Sequence, residues 1–370
     1  MFKKVNTKSK EDLLKILQNE TFARKTLSFY RYVKIKDPKA MRDMLFDKFS
    51  ELGCLGRIYI ASEGINAQMN VPEHNWTAFD QFIQSTEEFS GVPYKFAVEE
   101  KPARSAFSTA DAGGGKGVLS SFIKLIVKVR PKIVADGLDD ATFDPSDTGD
   151  YATAIDVNNM IDRGVTVIDM RNFYEAMIGH FKGAKIMEVD TFREQLKKVH
   201  DMFRDKKDEE VLLYCTGGIR CEKASAWMKH NGFKNVKHIK GGIIEYAHQV
   251  KEKGLQNKFL GKNFVFDERM GEKVGGETIS FCQVCEKEKC DNYIHCKNKS
   301  CHILFLCCEA CQSKLRGYCS RVCNICDKFP RKINKFFMGA DGQKNKNHYK
   351  KNYKRARVNT QISPVAEDLV

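Results

Sequence analysis

Apolar and polar residues alternate over Leu27–Ile35, Gly56–Ile60 and Ile65–Val71, which predicts strands, whereas Pro38–Leu52 and Asn75–Phe82 carry their apolar residues at helical spacing. Further strands are expected near Tyr94–Val98 and Phe122–Val129. This succession suits a small α+β sandwich of the ferredoxin-like or acylphosphatase-like kind, expected over residues 1–140. Gly113–Gly117 and the small residues before it predict a flexible insertion between two of those strands.

The pattern then changes. Val165–Met170, Ala184–Val189, Val211–Cys215 and Val236–Ile239 are short, mostly apolar runs. Between and around them lie the helical stretches Asp156–Asp162, Phe173–Ile178, Phe192–Phe203, Glu222–Asn231 and Ile244–Lys253. Apolar strands alternating with helices predict an α/β domain, a parallel sheet with helices on both faces, over residues 146–256. Gly232, after Lys229 and His230, marks a helix C-terminus.

Cysteine usage sets the next segment apart. Eleven of the fourteen cysteines fall between Cys282 and Cys326, leaving Cys54, Cys215 and Cys221 outside. The N-terminus (Met1, Phe2, Lys3, Lys4) has no apolar signal core, and the most apolar stretch, Phe122–Val129, is broken by Lys124 and Lys128. A cytoplasmic protein without a membrane span is therefore expected, and there clustered thiols stay reduced and bind metal. A Cys-rich module over residues 257–327 follows, with a basic tail at 328–370. From Lys328 to Arg357 eleven Lys or Arg stand against the single acid Asp341, a balance of +10 out of the chain's +14. Such a block suggests a polyanion partner. Phe336, Phe337, Tyr349 and Tyr353 between the charges would stack on unpaired bases; a solvated tail of weak affinity is the plain alternative.

The sharpest chemistry lies at Cys215, where an apolar strand ends and Thr216, Gly217, Gly218, Ile219 and Arg220 lead into a helix. Two adjacent glycines allow a tight loop whose N–H groups converge on an anion, and the helix N-terminus adds positive potential. Both favour a thiolate, and Arg220 supplies a fork of donors for the same anion. Cys221 has two readings, a helix-capping or packing residue and a thiol that resolves an oxidised Cys215.

Val167-Ile168-Asp169-Met170-Arg171, Glu175, Gly179-His180, Gly183-Ala184 and Gly241-Gly242 around this loop resemble a rhodanese domain. The resemblance makes Cys215 the persulfide-forming residue, with Arg220 and the loop amides as its stabilisers. Asp169, Arg171, Glu175 and His180 read as residues tying strand ends to helix caps. Longer strings are more specific: Thr26–Tyr32, Gly56–Ala67, Lys132–Gly137, Cys215–Gly232 and Gly261–Gly271. Together they resemble the bacterial oxygen-dependent tRNA wobble-uridine hydroxylases, which make 5-hydroxyuridine. That likeness implies an oxidoreductase of monooxygenase type, molecular oxygen as co-substrate, and tRNA at its anticodon region as partner. A sulfur-donor or reductant protein is a further partner to consider, and the redox cofactor is unknown. Two other readings remain: a persulfide sulfurtransferase acting on tRNA or an acceptor protein, and a non-catalytic scaffold, against which the intact Cys215–Arg220 loop weighs. Arg57, Glu63 and Asn66 around Gly64 read as structural.

Cys282-x2-Cys285, Cys308-x2-Cys311 and Cys323-x2-Cys326 have the spacing of tetrahedral zinc knuckles. Cys282, Cys285, Cys296, Cys301, Cys308 and Cys311 are the leading metal candidates, with the pairing open because Cys290, His302, Cys307 and Cys319 lie between. Several short-spaced pairs favour structural zinc over an iron–sulfur cluster.

Overall fold

The computed structural model describes residues 8–99, 120–139 and 142–328, so the Gly113–Gly117 insertion and the aromatic residues of the basic tail lie outside the described residues. The chain divides into two compact units, Met1–Gly276 and Glu277–Val370.

The first unit opens with α1 (Lys10–Gln18), β1 (Arg24–Tyr32), α2 (Pro38–Glu51), β2 (Leu55–Ala61), β3 (Gly64–Pro72), α3 (Trp76–Ser85), β4 (Lys95–Phe96) and β5 (Leu125–Val129). Asp37 starts α2 by accepting from the N–H groups of Lys39 and Ala40 at 2.9 and 3.0 Å, and Pro38 fits the first turn because no donor is needed there. The strands order as β4-β1-β3-β2-β5. The first four pair antiparallel in the expected ferredoxin-like arrangement, and β5 adds a parallel edge beside β2. Alternation along β1 decides which face does what. Leu27 and Phe29 enter a core with Leu45, Phe49, Ile58 and Phe79. Ser28, Tyr30 and Tyr32 therefore face the other way, and Lys95, paired with Ser28, joins them.

The parallel sheet follows: β6 (Asp150–Ala152), α4 (Ala154–Asp162), β7 (Thr166–Asp169), α5 (Phe173–Met177), β8 (Gly179–Phe181), β9 (Lys185–Ile186), α6 (Phe192–Phe203), β10 (Val211–Tyr214), α7 (Ile219–His230), β11 (Val236–Ile239) and α8 (Gly242–Lys253). Its order is β6-β11-β10-β7-β9, with every pair parallel. Val211, Leu213 and Cys215 pack on α6 and α7, while Leu212 and Tyr214 pack on α4 and α8. Both faces are thus covered, as the apolar strands require. The run Ala184–Val189 shrinks to the two-residue β9.

One expected boundary moves. β12 (Phe259–Asn263) pairs antiparallel with β8, and β13 (Glu272–Lys273) with β12, so residues 257–276 belong to the first unit. The Cys-rich unit starts at Glu277 instead of residue 257. It contains β14 (Tyr293–His295), β15 (Leu304–Leu306), α9 (Glu309–Lys314) and α10 (Arg321–Lys328) around a small core of cysteines with Ile294 and Phe305. Among the described residues no helix is long and apolar enough to cross a membrane.

Candidate active site

Cys215 directly follows β10 and is fully buried. The loop turns back at Gly218, whose φ of +97° places it in the left-handed region as the residue before α7. That turn aims the Gly218 N–H at the Cys215 sulfur, 3.2 Å away. A second glycine turn closes the other side: a methyl group on Gly242 would lie 2.4 Å from the Cys215 carbonyl oxygen, which accepts from the Ile243 N–H at 3.0 Å. Burial works against ionisation of Cys215. The Cys221 thiol, the Arg220 charge and the N–H groups of Cys221 and Arg220 outweigh it and bring the thiol down to about 5. Cys221 is pushed the other way by burial and by the Cys215 thiolate it hydrogen-bonds, so the pair shares one proton. Cys221 therefore packs in the core and donates to Cys215.

Labelling by iodoacetamide should follow this acidity, because only the thiolate attacks. The rate at Cys215 is expected to fall as pH drops through about 5 and to stay level through neutrality. Cys54, pushed up to about 12 chiefly by burial, should stay inert over that range. A pH series read by site-resolved mass spectrometry checks both, and equal labelling of the two near neutral pH contradicts them.

Arg220 is placed differently from the sequence expectation. Its two terminal nitrogens donate to the two carboxylate oxygens of Glu175 at 2.6 and 2.8 Å, so the fork is occupied. It acts on Cys215 through its charge. Glu175 also accepts from the Asn172 N–H as the capping box of α5, which fixes the carboxylate before it meets the arginine. Glu175→Gln keeps the shape and leaves the buried guanidinium without its counter-charge. A stability loss of about 3–5 kcal/mol is expected, seen as a lower urea midpoint at unchanged slope. Asp169 accepts from Arg171 at 2.6 Å and from the Tyr214 hydroxyl at 2.7 Å, and His180 Nδ1 lies 2.9 Å from the Ala176 carbonyl oxygen. These residues tie the strand ends together, as expected.

The N-terminal sheet forms a roof over this loop, which the sequence does not announce. The Tyr30 hydroxyl donates to Glu222 of α7 at 2.8 Å, and the Tyr32 hydroxyl donates to the Ile219 carbonyl oxygen at 3.1 Å. Beside them the buried Lys223 ammonium reaches Glu63 at 2.9 Å and Asp136 at 2.7 Å. Glu63 accepts the Ile133 N–H as well, and Arg57 donates to the Phe266 carbonyl oxygen. The only advance signal for these contacts is that Tyr30, Tyr32 and Glu63 sit inside the distinctive strings.

In the second unit the sulfurs gather into two groups, Cys282, Cys285, Cys308 and Cys311, and Cys296, Cys301, Cys319 and Cys323, each within 4.8 Å. All six leading candidates are included. Cys319 and Cys323 complete the second group, and the expected Cys323-x2-Cys326 knuckle does not form. Cys326 lies a turn further along α10, while Cys319 precedes the helix and donates its N–H to the Cys296 sulfur at 3.4 Å. Sulfur separations of 4.0 Å (Cys285–Cys308), 3.8 Å (Cys301–Cys319) and 3.5 Å (Cys296–Cys323) bracket the spacing of about 3.8 Å that four Zn–S bonds of ~2.3 Å impose on a tetrahedron. The donor sets fit structural zinc.

Known proteins resemble the chain in the same three parts. Residues 24–133 match the UPF0176 acylphosphatase like domain, 153–249 the rhodanese-like domain and 260–324 the family described as rhodanase C-terminal. A tRNA uridine(34) hydroxylase of Leptospira interrogans is 43% identical over 359 residues, 97% of this chain and 92% of that protein. One of Enterobacter sp. is 48% identical over 86% of this chain and 87% of its own length. This chain belongs to the tRNA uridine(34) hydroxylase family. Another family member, from Salmonella heidelberg, is 45% identical over 97% of both chains. Among solved structures, a rhodanese-like domain from Anabaena is 21% identical, covers 30% of this hydroxylase-family chain and 78% of its own, and has a TM-score of 0.24.

Proposed function

We propose that this chain hydroxylates C5 of uridine 34 in tRNA, using molecular oxygen. The observation that carries the reading is 43% identity over 97% of the chain to a protein named tRNA uridine(34) hydroxylase. The site supports it with a thiol that is ionised at neutral pH, held by the Gly218 N–H and kept from bulk water. In this reading Cys215 is the reactive group. Arg220, fixed by Glu175, and the amides of Thr216, Gly217, Gly218, Ile219 and Cys221 hold its negative charge. A monooxygenase-type reaction places one oxygen atom in the base and the other in water, so two electrons come from a reductant or thiol-bearing partner. The two cysteine groups hold structural zinc, and the enzyme works in the cytoplasm, where tRNA is.

Mass spectrometry of tRNA nucleosides from cells lacking the protein tests this. Loss of 5-hydroxyuridine and its derivatives is the expected result. Loss of a thiolated base in its place would assign Cys215 to persulfide transfer, and an unchanged nucleoside profile would overturn the enzymatic reading.

A further inference from the structure

Both terminal nitrogens of Arg220 donate to Glu175, which ties down the loop's own arginine and neutralises much of its charge. Another cation stands there. Lys95 of β4 is paired in register with Ser28 and shares the face that carries Tyr30. Its stem crosses both glycine turns that frame Cys215: a methyl group on Gly217 would lie 3.9 Å from Lys95 Cδ, and one on Gly241 would lie 3.5 Å from Lys95 Cε. The ammonium sits 4.0 Å above the Tyr30 ring, and Glu222 holds the Tyr30 hydroxyl.

Lys95 is only 9% exposed, yet among the described residues its ammonium makes no hydrogen bond and no ion pair. A charge set this deep with no counter-ion in direct contact is costly, and such groups concentrate where a ligand completes them. Burial draws the ammonium down to about 8, against the pull of the Glu222, Cys215 and Glu245 charges, so it is still a cation at neutral pH.

We propose that Lys95 is a catalytic residue lent by the N-terminal domain: its ammonium receives an oxyanion of the substrate nucleotide in front of Cys215, a backbone phosphate or the ionised edge of the uracil. The substrate class rests on the hydroxylase reading; the anion site does not.

Iodoacetate and iodoacetamide test the anion site without any tRNA. The two reagents are nearly the same size, so access to the buried thiol cancels in the ratio of their rates at Cys215, and only the charge differs. Lys95→Met, which keeps the stem over the glycine turns, should lower the iodoacetate-to-iodoacetamide ratio about tenfold, the effect of one nearby charge in a partly solvated site. Lys95→Arg should restore it. The iodoacetamide rate reports the state of the loop itself, and if Lys95→Met disturbs that rate, Lys95→Arg compared with Lys95→Gln decides. A ratio that is insensitive to the charge at position 95 overturns the proposal. Steady-state kinetics on tRNA then separate the sources. A raised KM with unchanged kcat for Lys95→Met places the oxyanion on a phosphate, a lowered kcat with unchanged KM places it on the base, and neither change excludes contact with substrate. A shifted ratio in a protein that never hydroxylates tRNA would retain the anion site and remove the hydroxylase reading.

Discussion

Cys215→Ser is expected to lower tRNA hydroxylation by about 10³-fold or more while tRNA affinity stays within about twofold. The serine hydroxyl fits the same space and accepts the same Gly218 N–H, yet it does not ionise near neutral pH as the thiol does. Cys215 is fully buried beneath the loop and the N-terminal sheet, so the change removes no surface that a phosphate backbone touches. Nucleoside analysis of tRNA treated with each variant, paired with filter binding over a salt series, measures the two quantities. Undiminished hydroxylation by Cys215→Ser would move the chemistry away from the rhodanese loop altogether.

The second large effect concerns the metal. Besides sulfur, the Cys-rich unit buries only a few apolar side chains, Tyr293, Ile294, Phe305, Leu306 and Leu315, too small an apolar core to hold so short a chain segment by itself. Its fold is therefore expected to depend on zinc held by the two sulfur groups, since structural zinc is worth about 10–16 kcal/mol in comparable peptides at neutral pH. Chelation should release two zinc ions per chain, abolish the structure of residues 277–328 and leave the unfolding transition of the first unit in place. Elemental analysis, with hydrogen exchange over the two units, reads both. Cys323→Ser should reduce the zinc content to one, and Cys326→Ser should leave it at two, since Cys326 stands outside both groups. Iron with acid-labile sulfide would replace zinc with a cluster.

Much of this was legible along the chain for local reasons. The mostly apolar runs Val165–Met170, Val211–Cys215 and Val236–Ile239 are core strands because both their faces meet helices, with Val211–Cys215 buried at every position. The Cys215 loop was legible because its requirements are backbone requirements: a left-handed turn at Gly218 and close approach at Gly242 leave room for glycine alone. Arg220 was legible as a charge beside the thiol but not as the partner of Glu175. Which acid meets which base across forty-five residues is set by how α5 and α7 pack on the sheet, and spacing carries no record of it.

The amino-acid sequence by itself determined most strands and helices of the first two domains, the glycine loop that carries Cys215 and the knuckles Cys282-x2-Cys285 and Cys308-x2-Cys311, because each depends on neighbours a few positions away. Tertiary structure alone decided the rest. Ser28, Tyr30 and Lys95 become a roof over Cys215 only when the N-terminal sheet presents its second face to the loop, and nothing in the alternation of β1 says what that face will meet. Residues 257–276 join the first unit because β12 finds an open edge at β8, a pairing of distant strands. Cys319 displaces Cys326 from the second sulfur group because a tetrahedron is closed by position in space, and the start of α10 carries the later thiol past it.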